Sequence, residues 1–293
     1  MKKSKIISQT VLNIVFIILS LLIIIPFLMV LSISFSNEQD IMKYGYKLIP
    51  MNFDLSAYTY IFNNPTTILN AYKVTFIFSV ASMVLGVFLM AMMAFVLSKK
   101  DLKGKGGMSF YLYFTMLFSG GLVPTYILVT KYLHLGDTLL VYIILGLVSP
   151  WYVFMMRTFF QGIPYELTEA AEIDGASEFR IFFTMILPLS KPVLATVALF
   201  IFLGKWNDWN TSLLYINKTE LFSLQYLLQR ILKNIELLQQ ETNNINVLTE
   251  ISKIPTETVR MAMAVVVAGP ALVVFPFFQK YFVKGLTVGS VKG

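Results

Sequence analysis

The chain has 293 residues, of which 57% are hydrophobic and only 13% are charged, about half the charged fraction of an ordinary soluble domain. This composition excludes a disordered chain and an ordinary cytosolic enzyme. With no cysteine and one histidine, a disulfide scaffold, a thiolate metal site and a histidine-based metal cluster are excluded as well. The net charge of +7 is carried between apolar blocks, which is typical of a membrane protein with basic cytoplasmic edges and not of a nucleic-acid-binding protein.

Six apolar segments are long enough to cross a membrane as helices. The hydrocarbon core of a bilayer needs roughly 20 apolar residues per helix, because hydrocarbon offers no partner to an open backbone. We therefore predict an all-α membrane protein with six transmembrane helices, at residues 11–35, 74–97, 108–130, 138–156, 186–203 and 261–282. Residues 1–5 are basic, but the apolar stretch after them is too long for the core of a secretory signal, so we expect an uncleaved first span.

The lysines and arginines set the expected orientation of these spans, since positive residues are enriched on cytoplasmic segments. If the N-terminus is cytoplasmic, the inner segments contain 13 of the 23 basic residues. The short outer segments then contain only Lys43, Lys47, Lys73 and Lys131. The remaining basic residues lie in the long segment 205–260, where the rule is weak. Both termini are therefore expected to be cytoplasmic.

Two long connections are predicted on the outer side. The connection 36–73 contains Pro50, Pro65 and several Asn and Tyr residues and is predicted to pack as a loop on the outer face. The connection 205–260 has apolar residues at helical spacing, which predicts an amphipathic helix on the membrane surface or on another protein. Those residues are Leu221, Leu224, Leu228, Ile231, Ile235 and Leu238. Residues 239–246 are rich in Gln and Asn and are predicted to form an exposed turn.

The inner connection 157–190 combines acidic residues with a helical apolar pattern on both sides of Gly175. Pro164 suits the first turn of a short helix, Gly175 the left-handed residue that ends it, and Ser177 the cap of the next helix. We predict two short helices joined by a tight turn. Either they are a solvated connector, or they form a docking site whose adjacent alanines permit close approach and whose acids meet a basic partner. The acids are Glu166, Glu169, Glu172, Asp174 and Glu178.

The same connection carries a family resemblance. Glu169-Ala170-Ala171, Asp174-Gly175-Ala176 and Ile186-Leu187-Pro188 follow in the order and spacing of the EAA loop of bacterial ABC importer permeases. Segments 119–125 and 206–210 and the C-terminal FQKYFVKGLTVGSVKG resemble the maltose-type carbohydrate permeases, in the lipoprotein/oligosaccharide branch of their second-permease subfamily. The resemblance covers about 224 residues, from position 70 to 293, by the order of these motifs.

This resemblance suggests a division of the chain. Residues 1–35 are an N-terminal tail and first span, residues 36–73 are the outer loop, and residues 74–293 are a core permease domain with the type I ABC importer permease fold. The first two parts match the family only in general layout. Within the core domain lie the EAA loop at 161–190, the outer loop at 205–260 and a C-terminal tail at 283–293.

The resemblance implies one half of an ATP-driven importer. A second homologous permease would complete the pathway, two copies of a cytoplasmic ABC ATPase would bind below it, and an extracellular lipid-anchored or soluble sugar-binding protein would deliver a carbohydrate. ATP and Mg²⁺ would be used by the ATPase, and this chain would bind no cofactor. The sequence agrees, because it lacks the GxxxxGK[ST] phosphate loop.

Two sets of residues would contact the ATPase if the resemblance holds. Coupling to the ATPase would fall to Glu169, Ala170, Ala171, Asp174 and Gly175. The tail would reach into the ATPase dimer through Gly285, Thr287 and Gly289. For the tail, a frayed chain end is the competing interpretation.

Two further segments are candidates for the substrate pathway. Gly120 and Gly121 lie in the third predicted span, where a harmless kink or a close helix crossing is favoured over a broken helix that faces the pathway. The other segment places two tryptophans around an amide and a carboxylate, which suits an interfacial anchor and a sugar site equally. These residues are Trp206, Asn207, Asp208 and Trp209. His134 is expected to be a solvated loop residue, and Lys191 to extend its ammonium to the headgroups.

Two other classes of function compete with an importer subunit. A membrane-embedded glycosyltransferase would need a carboxylate cluster for a metal and a nucleotide sugar, but the only dense acidic run is the EAA segment. A secondary transporter would need ionisable residues in mid-span, and the predicted spans have essentially none. The sequence therefore favours a transport subunit that is not itself an enzyme.

Overall fold

The computed structural model describes residues 2–240 and 255–288. In that part of the chain the structure is helical and has no β-strand, only an isolated antiparallel bridge between Ser36 and Phe53. The helices are α1 Lys2–Ser34, α2 Glu38–Tyr44, α3 Ser56–Ile61, α4 Pro65–Ser98, α5 Lys105–Leu117, α6 Leu122–Ile127, α7 Leu139–Ile144, α8 Pro150–Gln161, α9 Tyr165–Ile173, α10 Glu178–Ile181, α11 Leu187–Leu189, α12 Lys191–Trp206, α13 Asn210–Tyr215, α14 Leu224–Gln240 and α15 Thr256–Val288. π-helical turns at Leu128–Tyr132 and Phe182–Ile186 and a 3₁₀ turn at Thr219–Leu221 complete them.

Three single helices are long and apolar enough to cross a membrane: Gln9–Ser34, Pro65–Ser98 and Thr256–Gln279. They correspond to the first, second and sixth predicted spans, so an apolar helix is confirmed at each of these places. Two bent pairs raise the count to five among the described residues. One is Lys105–Leu117 with Leu122–Tyr132, bent by 108°, and the other is Glu178–Leu189 with Lys191–Trp206, bent by 80°. The third and fifth predicted spans are therefore apolar but not straight.

The fourth predicted span, 138–156, is not one continuous helix. It is divided into α7 and α8 by residues 145–149, where Gly146 has a φ of +70°. Pro150 begins α8, a position at which its missing N–H costs nothing. The side chain of Lys205 stabilises the end of α7, because its Nζ donates to the carbonyl oxygens of Tyr142 (2.5 Å) and Leu145 (2.6 Å). The prediction of a single uninterrupted helix here is wrong.

The contacts divide the chain into two units, of which the first comprises Met1–Ile68 and Leu228–Pro270. Its connection between α1 and α4 contains α2 and α3, where the sequence predicted only a packed loop. The carboxylate of Glu38 on α2 accepts hydrogen bonds from the backbone N–H groups of Glu257 and Thr258, both at 2.9 Å, and from Thr258 Oγ1 at 2.8 Å. Because the first N–H groups of a helix have no partner within the helix, this carboxylate caps the start of α15.

The second unit comprises Leu69–Leu227 and Ala271–Gly293, and it contains a buried polar network around Tyr142. Tyr142 stacks on Phe78 with ring centroids 4.3 Å apart, and its hydroxyl lies 2.5 Å from Ser212 Oγ. Ser212 in turn donates to Ser223 Oγ at 2.9 Å. Buried polar atoms need such partners, so the network fixes the segment after α12 against α7.

The amphipathic helix predicted in the second outer connection is confirmed as α14. Leu224 and Leu228 on it are buried within this chain, so the first turns of the helix pack on the protein itself and neither on a membrane surface nor on another protein. Leu221 lies in the preceding 3₁₀ turn. Of the predicted turn at 239–246, residues 241–246 lie outside the described residues.

Asp137 fastens the turn between the π-helical turn and α7. Its carboxylate accepts hydrogen bonds from the backbone N–H groups of Asn217 (2.5 Å) and Lys218 (3.0 Å), and its own N–H donates to the carbonyl of Tyr215 at 3.0 Å. These backbone donors hold the pKa of the Asp137 carboxyl below its ordinary value, because they stabilise the charged form. Asp137 has a φ of 54°, a conformation that Asp and Asn tolerate better than most residues.

We expect the Asp137 contribution to stability to depend on pH. A carboxyl with a lowered pKa in the folded state stabilises fully above its unfolded pKa of about 3.9, and the contribution is lost as the pH falls through the folded pKa. Asp137→Asn keeps the backbone conformation and removes the charge, so it should lower the melting temperature at pH 7 by roughly 1–3 °C. The difference from the parent protein should shrink as the pH approaches 3.

The measurement is thermal unfolding in detergent across that pH range, with Asp101→Asn as the control on another exposed turn. A pH-independent difference would show that the carboxylate charge is not what fastens the turn.

Candidate functional site

The candidate site is the helical hairpin of residues 164–181, hereafter the hairpin. The N–H of Gly175 donates to the carbonyl of Glu172 at 3.0 Å, and the N–H of Ala176 to that of Ala171 at 2.9 Å. These two bonds and the φ of +79° at Gly175 are a Schellman ending, in which a left-handed residue lets the next two N–H groups reach back to the last carbonyls. The helix, tight turn and positive φ predicted from the sequence are confirmed.

The second arm of the hairpin begins as the sequence predicts. Ser177 has an extended backbone, and its Oγ accepts a hydrogen bond from the N–H of Arg180 at 3.4 Å, which caps α10. On the first arm Pro164 is the residue that precedes α9, with a ψ of 126°, and not a residue of its first turn as the sequence predicted. Local chemistry is thus sufficient to form both helix ends of the hairpin.

The hairpin presents apolar side chains to its surroundings. Ile173 is 81% exposed and Phe179 is 66% exposed, with Leu167 at 42%. Large apolar side chains grouped at an exposed turn are typical of a protein contact surface. The carboxylates of Glu169 and Asp174 are exposed beside them and form no salt bridge among the described residues. A partner with an apolar groove and basic or polar edges would match this surface.

The base of the hairpin is rigidly packed, in contrast to its tip. Ile181, Phe182 and Ile186 are buried and join the apolar core formed with helices α4, α8 and α12. The rings of Phe95 and Phe182 lie 5.3 Å apart. Because close-packed interiors transmit strain, a displacement of the tip would be passed through these three side chains to the helices around them.

Ion pairs tether the hairpin to the loop after α4. Lys99 pairs with Glu178, and its Nζ lies 3.8 Å from Glu172. The ammonium of Lys100 lies 4.9 Å from the ring centroid of Tyr165. The carboxylate of Glu172 near Tyr165 raises the pKa of that phenol. The sequence analysis did not identify this tether, whose signal is the run of lysines between 99 and 105.

The predicted pathway glycines lie at a true break in the third span. Phe118 ends α5 in an extended conformation, and Gly121 has a φ of +86° before α6 begins. A Cβ on Gly121 would find no atom within 4 Å, so the glycine serves the backbone conformation and not a close helix crossing. Together with the bend of 108°, this favours the broken-helix interpretation over the kink.

Only one of the two tryptophan rings in segment 206–210 is exposed. Trp206 is only 2% exposed and packs beside Phe202 at 5.7 Å and Tyr72 at 6.4 Å. Trp209 is 41% exposed. Trp206 is therefore a core residue of the second unit in this structure, neither an interfacial anchor nor an open stacking surface.

The polar residues between the two tryptophans make local hydrogen bonds. Both carboxylate oxygens of Asp208 accept from Thr211, its N–H at 2.9 Å and its Oγ1 at 2.6 Å. Asn207 Nδ2 donates to the carbonyl of Leu203 at 2.9 Å. Asp208 thus caps α13, and neither side chain is held open for a ligand.

Comparison with known proteins decides the family. The model of the family described as "Binding-protein-dependent transport system inner membrane component" matches residues 2–288. The chain belongs to this family. Protein LplC of Bacillus subtilis (strain 168) is 38% identical over 270 residues, 92% of this chain and 90% of the relative.

Two further comparisons agree with this membership. The polygalacturonan/rhamnogalacturonan transport system permease protein YtcP of Bacillus subtilis (strain 168) is 37% identical over 94% of each chain. A solved structure described as a bacterial ABC transporter involved in the import of the acidic polysaccharide alginate matches with a TM-score of 0.78 and 26% identity. It covers 95% of this chain and 98% of that chain. This chain is therefore a permease component of a bacterial ABC importer, a multi-pass protein of the plasma membrane and a transport subunit, not an enzyme.

In this permease the remaining predicted residues lie as follows. His134 is exposed in the turn before α7, as expected, and Lys191 is exposed at the start of α12. Gly285 and Thr287 lie within α15, which continues as a helix to Val288, where the sequence predicted a short tail. Gly289 lies outside the described residues.

The Lys99 tether should be restored by exchanging its charges. Lys99→Glu or Glu178→Lys alone should loosen the hairpin and raise amide hydrogen exchange over 165–180 by about 1.5- to 5-fold, because partly exposed ion pairs contribute about 0.2–1 kcal/mol. The double variant should return exchange most of the way to the parent level, because Lys99→Glu also places a carboxylate near Glu172. Lys131→Glu, on an exposed turn elsewhere, is the control. Equal exchange in all variants would show that core packing alone holds the hairpin.

Proposed function

We propose that this permease and a second, homologous permease form the pathway of an importer for an oligosaccharide, which an extracellular binding protein delivers. The support is the family membership and the substrates for which two similar proteins are named, polygalacturonan/rhamnogalacturonan for YtcP and the acidic polysaccharide alginate for the solved importer. Two copies of a cytoplasmic ATPase would drive the cycle, using ATP and Mg²⁺, and this chain would bind neither.

The observation that carries the coupling role is the exposed apolar tip of the hairpin above a buried base. In the proposed mechanism, Ile173 and Leu167 enter a groove of the ATPase, and Glu169 and Asp174 meet polar or basic groups at its edge. Ala170 and Ala171 permit close approach of the two backbones. ATP-driven closure of the ATPase dimer then pulls the hairpin, and the packed base passes that movement to the spans.

Six spans with both termini in the cytoplasm fit this role. Five follow from three long helices and two bent pairs, and α7 with α8 supplies the sixth if the interrupted segment crosses the membrane as a unit. Interrupted backbone is tolerated in membranes where it is buried in protein or lines a cavity. The distribution of lysine and arginine supports the orientation. The end of α15, with Gly285 and Thr287, and the following Gly289 would then face the ATPase.

The break at Gly120 and Gly121 is the best-supported part of the substrate pathway. Broken helices in transporters place freed backbone groups toward the substrate, and no side chain covers the backbone at Gly121, where a Cβ would find no atom within 4 Å. The exposed ring of Trp209 remains a second candidate contact, whereas Trp206 would need to leave the core, and Asn207 and Asp208 their local hydrogen bonds, to contribute.

The orientation is testable because the chain has no cysteine. Single cysteines at Lys103 and at Asn63, both exposed positions, should react with a membrane-impermeant maleimide from opposite faces. In intact cells only the Asn63→Cys variant should be labelled. Labelling of the Lys103→Cys variant from outside would contradict the proposed topology.

The coupling role predicts different failures for two hairpin variants. In Gly175→Leu, a side chain at positive φ costs about 1–2 kcal/mol locally and also enlarges the docking surface, so most of the ATPase should be lost during purification. Glu169→Ala keeps the backbone and removes a charged contact, which is worth 2 kcal/mol or more only where buried. That variant should retain part of the ATPase but stimulate its hydrolysis poorly.

The measurements are co-purification of the ATPase and hydrolysis stimulated by the loaded binding protein. Gly146→Leu is the control, because Gly146 also has a positive φ and no atom within 4 Å of its Cβ position, but lies outside the hairpin. Normal assembly and normal transport in both hairpin variants would reduce the hairpin to a connector.

A further inference from the structure

A groove of about 610 Å³ lies between the end of α4 and the start of α5. Its walls are apolar and rich in methionine, with residues Met92, Met93, Val96, Leu97, Gly107, Met108, Tyr111 and Leu112. Methionine side chains are flexible and adapt to irregular apolar guests. A Cβ on Gly107 would find no atom within 4 Å, so the glycine leaves the groove open at its mouth.

The groove ends at a basic loop. Residues 99–105 connect its two walls and contain four lysines against one acid, Asp101. Lys99 is already paired with Glu178, and Lys105 Nζ donates to the carbonyl of Lys99 at 2.8 Å. Lys103 is exposed and makes no hydrogen bond or ion pair within the described part of the chain. The site thus combines an apolar slot with free positive charge at one end.

We propose that this groove binds an acyl chain of an anionic phospholipid, whose phosphate is held by Lys103. The wall from Met92 to Leu97 covers about 8 Å of helix, about half of the roughly 15 Å hydrocarbon thickness of one leaflet. Tyr111 is 68% exposed, and its phenol suits the boundary between hydrocarbon and headgroup. Basic pockets between membrane helices on the cytoplasmic side are a recognised form of anionic lipid site.

Charge favours a lipid over a helix of the second permease as the occupant. The cytoplasmic edges of membrane proteins are themselves enriched in Lys and Arg. A second permease packed into this groove would bring its own basic edge against the loop 99–105, and like charges at an interface are unfavourable. An anionic phospholipid carries a charge opposite to that of the loop on its headgroup, and its acyl chain is apolar like the walls of the groove.

The chain offers a matched pair of glycines for the test. Gly106 and Gly107 are neighbours on α5, both are exposed, and a Cβ on either finds no atom within 4 Å, but only Gly107 lines the groove. Both replacements raise helix propensity and should not unfold α5. Gly107→Phe should fill the groove, and Gly106→Phe should leave it open.

The full-length chain, purified with its accompanying subunits, is placed in nanodiscs of equal parts phosphatidylglycerol and phosphatidylcholine, then extracted and examined by native mass spectrometry. The parent and Gly106→Phe proteins should retain phosphatidylglycerol, and Gly107→Phe should retain about tenfold less. Lys103→Gln should strongly weaken the preference for phosphatidylglycerol, whereas Lys131→Gln should not.

Two results would overturn the proposal. Equal retention of phosphatidylglycerol by the Gly106→Phe and Gly107→Phe proteins would show that the groove holds no lipid. Loss of the second permease from the Gly107→Phe protein alone, with lipid retention unchanged, would show that a protein helix occupies the groove.

Discussion

A backbone N–H or carbonyl that is shielded from water must find a partner within the protein, and the break between α7 and α8 in this permease shows how that requirement is met. A straight helix meets it automatically, but α7 ends before α8 begins and frees carbonyl groups. Lys205, on another helix, donates hydrogen bonds from its ammonium to two of these carbonyl groups, those of Tyr142 and Leu145. The same lysine lies one residue before Trp206, whose burial holds that end of α12 in place. The interruption is therefore stabilised by side chains distant in sequence.

This explains which parts of the fold can be predicted from the sequence. Hydropathy identifies apolar segments. It identified the positions of α1, α4 and α15 because the backbone hydrogen bonds of these continuous helices are formed within each helix. It does not register whether a segment is continuous, since Gly121 and Gly146 are themselves compatible with membrane helices. The breaks depend on positive φ values at these glycines and on partners such as Lys205, which only the folded chain brings near.

The candidate site shows the same division between local and distant causes. The hairpin could be predicted because its proline, glycine and serine each act within a few residues, through a helix start, a Schellman ending and a cap. The tether of Lys99 to Glu178 and Glu172 joins residues more than 70 positions apart. The spacing of residues along the sequence therefore does not predict it. The position of Trp206 could not be predicted for a related reason. Its burial depends on Phe202 and Tyr72, and the fold brings Tyr72 to it from a distant part of the chain.

The chain from the hairpin to Trp206 suggests how movement at the ATPase would reach the pathway. The second arm continues from α10 through the π-helical turn Phe182–Ile186 into α11, and then bends by 80° into α12. The hydroxyl of Ser190 at that bend is buried and has no hydrogen-bond partner in the described part of the chain. π-helical turns and bends are the places where a helix changes course most easily. A pull on the hairpin would therefore be expressed as a change of angle at Ser190, while the apolar core around Ile186 keeps the two helices joined.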